Sequence, residues 1–341
     1  QRTGQIRVLH RGDIASVAVQ YSYLSSPLAL LLKADVGLET AQAVFNTIYG
    51  YWTQLPKDQR PALYLCGLSL GALNSDLSFQ IFDIIEDPFQ GALWSGPPFR
   101  HETWQAVTRR RDPGSPAWLP RFRGGSVVRF ANQYTGLQAP EAKWGAFRIA
   151  FLQYASDSIT FFEPAAFYRQ PEWMNEPRGP DVSPKLGWYP IVTALSLIAD
   201  MTAGSAPVGY GHDFAPEHYF DAWLALSEPD GWTEAELQRL REMFSVRSAT
   251  MTPLPITGSA GHETVQDLQR PAPAGVGAAG RPGGNQTAGP AGRAALGAFH
   301  LGHLRIDFSR PEINHRPSSR LNPTYFVTII QFLNQRACFS S

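Results

Sequence analysis

The sequence predicts an α/β fold: a mostly parallel sheet with helices on both faces. Three observations lead there. Over the first 245 residues, short apolar runs alternate with helical patterns. The chain has 341 residues, 43% of them hydrophobic, enough for one large domain or two medium ones. And the turn Gly67-Leu68-Ser69-Leu70-Gly71 joins an apolar run to a segment able to open a helix.

Taken in order, "IASVAVQYSYL" (14–24) reads as a strand. "LETAQAVFNTIYGYWTQL" (38–55) has apolar residues at helical spacing. "ALYLCG" (62–67) is a strand, and "ALNSDLSFQIFDII" (72–85) a helix. "GALWSGPPF" (91–99) is a strand ended by two prolines, and "FRIAFLQYASD" (147–157) a strongly apolar strand. "YPIVTALSLIADM" (189–201) fits either strand or helix. "TEAELQRLREMF" (233–244) is a helix, with Thr233 before a Glu-rich first turn. Two stretches interrupt the alternation, 100–146 and 158–208. The second holds Phe161, Phe162, Phe167, Tyr168, Trp173, Trp188 and Tyr189 among prolines.

Composition changes near residue 246, which sets the division into a domain of 1–245 and a tail of 246–341. The stretch "RPAPAGVGAAGRPGGNQTAGPAGRAALGAF" is mostly Gly, Pro and Ala, and buries too little apolar surface to offset its ordering entropy. Most of the tail is therefore expected to be disordered. Its one apolar run, "YFVTIIQFL", suits a single strand or short helix.

Charge and cysteine content exclude several classes. Lys plus Arg and Asp plus Glu number 29 each, so the basic excess of a nucleic-acid binder is missing. Cys66 and Cys338 make no disulfide framework. No apolar run approaches the roughly 20 residues of a membrane-spanning helix.

Gly67-Leu68-Ser69-Leu70-Gly71 fits the G-x-S-x-G nucleophile elbow, in which a serine sits on a sharp strand-to-helix turn. The flanking glycines allow close backbone approach. The amide after the serine, that of Leu70, donates to an oxyanion. A serine at an ordinary tight turn is the plain alternative. The nucleophile needs a base, and the base an orienting carboxylate. Asp157 closes an apolar strand, and His212 lies on the glycine-flanked loop "GYGHDF", in the order Ser, Asp, His. Read singly, Asp157 suits a helix cap and His212 a polar loop. Together they suit a triad.

Other signals are weaker. His101 comes too early in the chain to be the base, and His218 falls on a helix soon after His212. His300 and His303 lack partnering Cys or acidic ligands nearby and suit a solvated tail better than a metal site, and the triad chemistry needs neither metal nor organic cofactor. Arg109-Arg110-Arg111 reads as a solvated face. The aromatic-rich insertion suits either core packing or a wall for an apolar acyl or aryl group, with Leu68, Phe161, Phe162 and Tyr21 as substrate contacts.

Longer motifs carry a family resemblance: "VAVQYSYLSS", "RPALYLCGLSLGALNSD", "GALWSGPPF", "RRRDPGSPAWLPRF", "LQYASDSITFF", "EPRGPDVSP" and "GYGHDF". Over roughly residues 8–245 the chain resembles a bacterial α/β-hydrolase family with a membrane-embedded N-terminal region. The resemblance implies an α/β-hydrolase fold and a serine hydrolase with Ser69, Asp157 and His212 at its triad positions. It implies membrane association in full-length relatives. Leu68 stands where the family usually has Glu.

Against the family, the chain is expected to begin after the first strands, the loop giving the second oxyanion amide, and the membrane region. The strand ending at Tyr21 is then expected to pair directly beside the elbow strand, with the "YSY" loop as substitute oxyanion donor. The expected activity is cleavage of small-molecule carboxylic esters. The alternative is a non-catalytic, hydrolase-like scaffold that binds an apolar ligand or partner protein.

Overall fold

A computed structural model of the chain describes residues 4–20, 37–139, 142–175, 177–203, 206–251, 300–301, 304–305 and 327–333. They belong to a unit made of Gln1–Thr252 and Phe299–Ser341. At its centre the described residues form a six-stranded sheet. In chain order the strands are β1 (Ile14–Gln20), β2 (Ala62–Leu68), β3 (Gly91–Ser95), β4 (Val128–Ala131), β5 (Arg148–Leu152) and β8 (Val327–Leu333). Two further short strands, β6 (His300–Leu301) and β7 (Leu304–Arg305), pair antiparallel with each other. The large sheet runs β1-β8-β2-β3-β5-β4, and every pair in it is parallel.

Parallel strands are covered on both faces, and the side chains show it. Leu63 and Leu65 of β2 enter one core with Ala92 and Trp94 of β3, and with Ile149 and Phe151 of β5. The alternate residues Tyr64, Cys66, Leu93, Ala150 and Leu152 enter a second core on the opposite face. This period of two follows from the pleat. The first core is closed by α2 (Leu38–Gln54) through Ala41, Val44, Phe45 and Trp52. It is also closed by α3 (Leu70–Leu77) and by the two insertions. The second is closed by α1 (Gly4–Leu9) and α8 (Pro216–Ser227), with Phe220, Trp223 and Leu226 inside. Phe244 of α9 (Glu234–Met251) joins them. Burial raises the Tyr64 hydroxyl pKa to about 12.

Several expectations need correction. The strand β1 does not pair with the elbow strand β2. The strand β8 lies between them, with Ile330 opposite Val17 on one side and Leu65 on the other. A central slot leaves backbone donors and acceptors unmet unless a strand fills it, and the β-branched run "VTIIQFL" fills it. The helix expected over 72–85 is two, α3 and α4 (Ile81–Ile84). Between them Phe79 packs on Phe45 and Phe89, and the backbone turns extended at Gln80. The ambiguous 189–201 stretch is helix α7 (Val192–Ala203), buried at Ala194, Leu197 and Met201 with helical period. The strand β4 was not expected. It lies inside the first insertion and pairs with β5.

The last helix runs to Met251, past the change in composition, and starts with a capping box in which Thr233 N–H donates to Glu236 Oε2 (2.9 Å). Among the described residues no helix is long and apolar enough to cross a membrane. Tyr21 and the "YSY" loop lie outside the described residues.

Candidate active site

The elbow begins with Gly67. A Cβ there would lie 2.2 Å from the backbone carbon of Gly71, so only glycine lets α3 fold back on β2. Ser69 follows at φ 56° and ψ −125°, a conformation that a non-glycine residue rarely adopts. Such strain marks sites where surrounding structure holds a residue in place. The Ser69 N–H donates to the Ser95 carbonyl (3.0 Å), and the Ser69 carbonyl accepts from Ala72 (2.9 Å) and Leu73 (3.2 Å). Leu70 opens α3, so its N–H has no partner within the helix.

Asp157 follows β5 and is fully buried. Its Oδ1 accepts from Ile159 N–H (2.9 Å), capping α6 (Ser158–Phe161). Its Oδ2 accepts from the Thr160 hydroxyl (3.0 Å) and from His212 Nδ1 (2.7 Å). The residue is thus both a helix cap and a histidine partner. A carboxylate only accepts, so the neutral imidazole carries its proton on Nδ1. His212 Nε2 is buried and has no hydrogen-bond partner among the described residues, the Ser69 hydroxyl included.

The strand β3 brings serine and histidine to one place. Ser95 accepts the Ser69 amide, and the next residue, Gly96, lies against the His212 ring. The ring of Phe214 packs edge-on to His212 at 5.7 Å. Three sequence-predicted residues, from β2, β5 and a loop before α8, therefore gather at the C-terminal ends of parallel strands. Ligands of open α/β sheets bind at this end.

The other expected contacts fall elsewhere. Phe161 packs against Trp104 and Trp173, and Phe162 against Phe99. Both rings are buried, so the expected wall belongs to the core instead. Leu68 lines a small cavity with Cys66, Leu93, Tyr219 and Trp223, on the α8 face. His101 is buried against Trp94 and Phe151, and its Nδ1 accepts from Trp104 N–H (3.2 Å). His218 Nδ1 pairs with the Tyr154 hydroxyl (2.6 Å). Burial lowers the pKa of both histidines and raises that of Tyr154. Among the described residues no group of three or more His, Cys, Asp or Glu is placed to hold a metal ion.

Sequence reasoning missed Gly96, Ser156, Gln133 and Asp181, which hold the loops of Asp157 and His212. Only Gly96 had a local signal, as the glycine between a strand and two prolines.

A parallel sheet with a strained serine between strand and helix is the frame of α/β proteins built around a nucleophile elbow. The chain belongs to the alpha/beta-hydrolase family, whose model matches residues 1–240, and that family implies hydrolase activity. No curated protein and no solved structure matches the chain.

Proposed function

We propose that the chain is a serine hydrolase acting on carboxylic esters, with Ser69 as nucleophile, His212 as base and Asp157 as the orienting acid. The observation that carries this reading is the 2.7 Å bond from His212 Nδ1 to the buried Asp157, which leaves Nε2 free to accept a proton. The ring rests on the β3 end that also holds the Ser69 amide.

In this reading, Ser69 Oγ attacks the acyl carbon while Nε2 takes its proton. The carbonyl electron pair moves onto oxygen, where the Leu70 N–H and the start of α3 stabilise it. The imidazolium forms beside the Asp157 carboxylate, which stabilises its charge. Collapse expels the alcohol, which receives the proton from Nε2 and leaves Ser69 acylated. Water, deprotonated by the same nitrogen, attacks the acyl group and restores the serine. In this reading the Ser69 to His212 hydrogen bond forms as substrate binds, since catalytic hydrogen bonds tighten in the Michaelis complex.

The substrate class is a small ester with an apolar acyl or aryl part.

The test is labelling with a fluorophosphonate, comparing the chain with Ser69→Ala. Labelling lost in the variant is expected, followed by turnover across acyl esters of rising length. A folded chain that does not label would sink the hydrolase reading and leave the non-catalytic scaffold.

A further inference from the structure

We propose that Asp181, in the second insertion, is the positioning residue that holds the Asp157–His212 pair in register; its catalytic meaning rests on the serine hydrolase reading. The carboxylate touches neither member of the pair. It reaches both through their chain neighbours. Its Oδ2 accepts from the backbone N–H of Ser156 (2.9 Å) and from the Ser156 hydroxyl (2.6 Å). The Ser156 oxygen in turn accepts the N–H of Gly211 (2.9 Å). Ser156 precedes Asp157, and Gly211 precedes His212.

The hydroxyl makes this linkage directional. Ser156 has one O–H to donate, and it donates it to Asp181 Oδ2. That leaves an oxygen lone pair facing the Gly211 amide. Without the carboxylate the hydroxyl is free to rotate, and its hold on Gly211 loses definition.

A second arm acts on the same loop. Gln133 Nε2 donates both to Asp181 Oδ2 (2.9 Å) and to the Gly209 carbonyl (3.1 Å). Gly209 N–H donates to the Asp213 carbonyl (2.7 Å), closing the turn around His212. Asp181 thus reaches Gly209 and Gly211, both just before the histidine, and Gly209 closes the turn onto Asp213 behind it. The segment that carries it sits tightly on the acid loop, because a Cβ on Gly179 would lie 2.1 Å from the Ala155 Cβ.

Among the described residues Asp181 Oδ1 has no hydrogen-bond partner, so the whole linkage runs through Oδ2. Held loops matter steeply for chemistry. A displacement of about 1 Å can lower a rate by about 100-fold.

The experiment compares the full chain with Asp181→Ala, Asp181→Asn and Ser156→Ala. The first readout is the far-downfield proton resonance of the His212–Asp157 hydrogen bond, assigned by its loss in His212→Gln. The second is the rate of fluorophosphonate labelling, with kcat and KM for a short ester. Thermal unfolding checks that each variant is folded.

In Asp181→Ala we expect the resonance to broaden or vanish, and labelling and kcat to fall by about 100-fold with KM little changed. Asp181→Asn keeps one acceptor and should fall between. If Asp181→Ala does not fold, Ser156→Ala, which deletes one hydroxyl, is expected to give the same loss. Wild-type resonance and labelling in folded Asp181→Ala or Ser156→Ala would overturn the proposal, as would no resonance in the wild type. A wild type that shows the resonance but never labels defeats the hydrolase reading instead, and the resonance of the variants still decides the role of Asp181.

Discussion

A Cβ placed on Gly96 would lie 2.5 Å from His212 Cε1 and 2.9 Å from its Nδ1. The imidazole therefore rests on bare backbone at the end of β3. Gly96 also has φ +47°, which L side chains rarely adopt. Gly96→Ala should push the ring away from Asp157 and lower labelling by about 100-fold. The overpacking should cost about 1–3 kcal/mol. Full labelling by a folded Gly96→Ala chain would show that the ring does not depend on this contact.

Asp157→Asn should separate the two jobs of the residue. An amide oxygen can still cap α6, so the cost in stability should be small. Its N–H, facing His212, moves the imidazole proton to Nε2, the wrong tautomer for taking a proton. Labelling and turnover should fall by about 10,000-fold. Asp157→Ala should lose the cap as well, about 1 kcal/mol, read by denaturant unfolding. Equal activity in wild type and Asp157→Asn would remove Asp157 from the mechanism.

The central place of β8 is tested at its middle. Ile330 lies between Val17 and Leu65, so a proline there meets a neighbour on both sides. A proline in a central strand removes a ladder bond and leaves a buried acceptor unmet. Ile330→Pro should destabilise the fold by at least about 2 kcal/mol. An unchanged melting temperature would place the strand outside the sheet.

Acid should weaken the fold through its buried histidines. Burial lowers the pKa of His101 and of His218 from the ordinary 6.5. Between the lowered folded value and 6.5 the unfolded chain binds more protons, so stability falls as pH drops through that window. Above 6.5 both states are neutral at these sites and the effect disappears. Melting temperatures measured between pH 8 and pH 5 should fall, and His101→Gln should flatten the slope relative to its own value at pH 8. An identical slope in the variant would assign the loss to other groups.

Much of this was readable along the chain. The unbroken apolar run "ALYLC" marks β2 as a strand buried on both faces, and Gly67 marks the elbow because close backbone approach there demands glycine. Thr233 with Glu236 marks a helix start. These signals are local: each depends on residues within a few positions of one another. Ser69, Asp157 and His212 were legible as candidates for the same reason, since each ends or follows a recognisable element.

What local pattern did not contain is which elements lie side by side. Nothing near Val327 or Val17 says that β8 separates β1 from β2, because strand order is set by hydrogen-bond partners hundreds of residues apart. Phe161 and Phe162 look like a ligand wall by composition, yet Trp104, Trp173 and Phe99 enclose them. Nothing in the local sequence around Asp181 singles it out within the second insertion. Only folding brings it to Ser156 and Gln133, and through them to the histidine loop. The elements follow from short-range sterics and hydrophobic period, whereas the order of the sheet and the clasp on the site follow from long-range packing that a linear pattern does not encode.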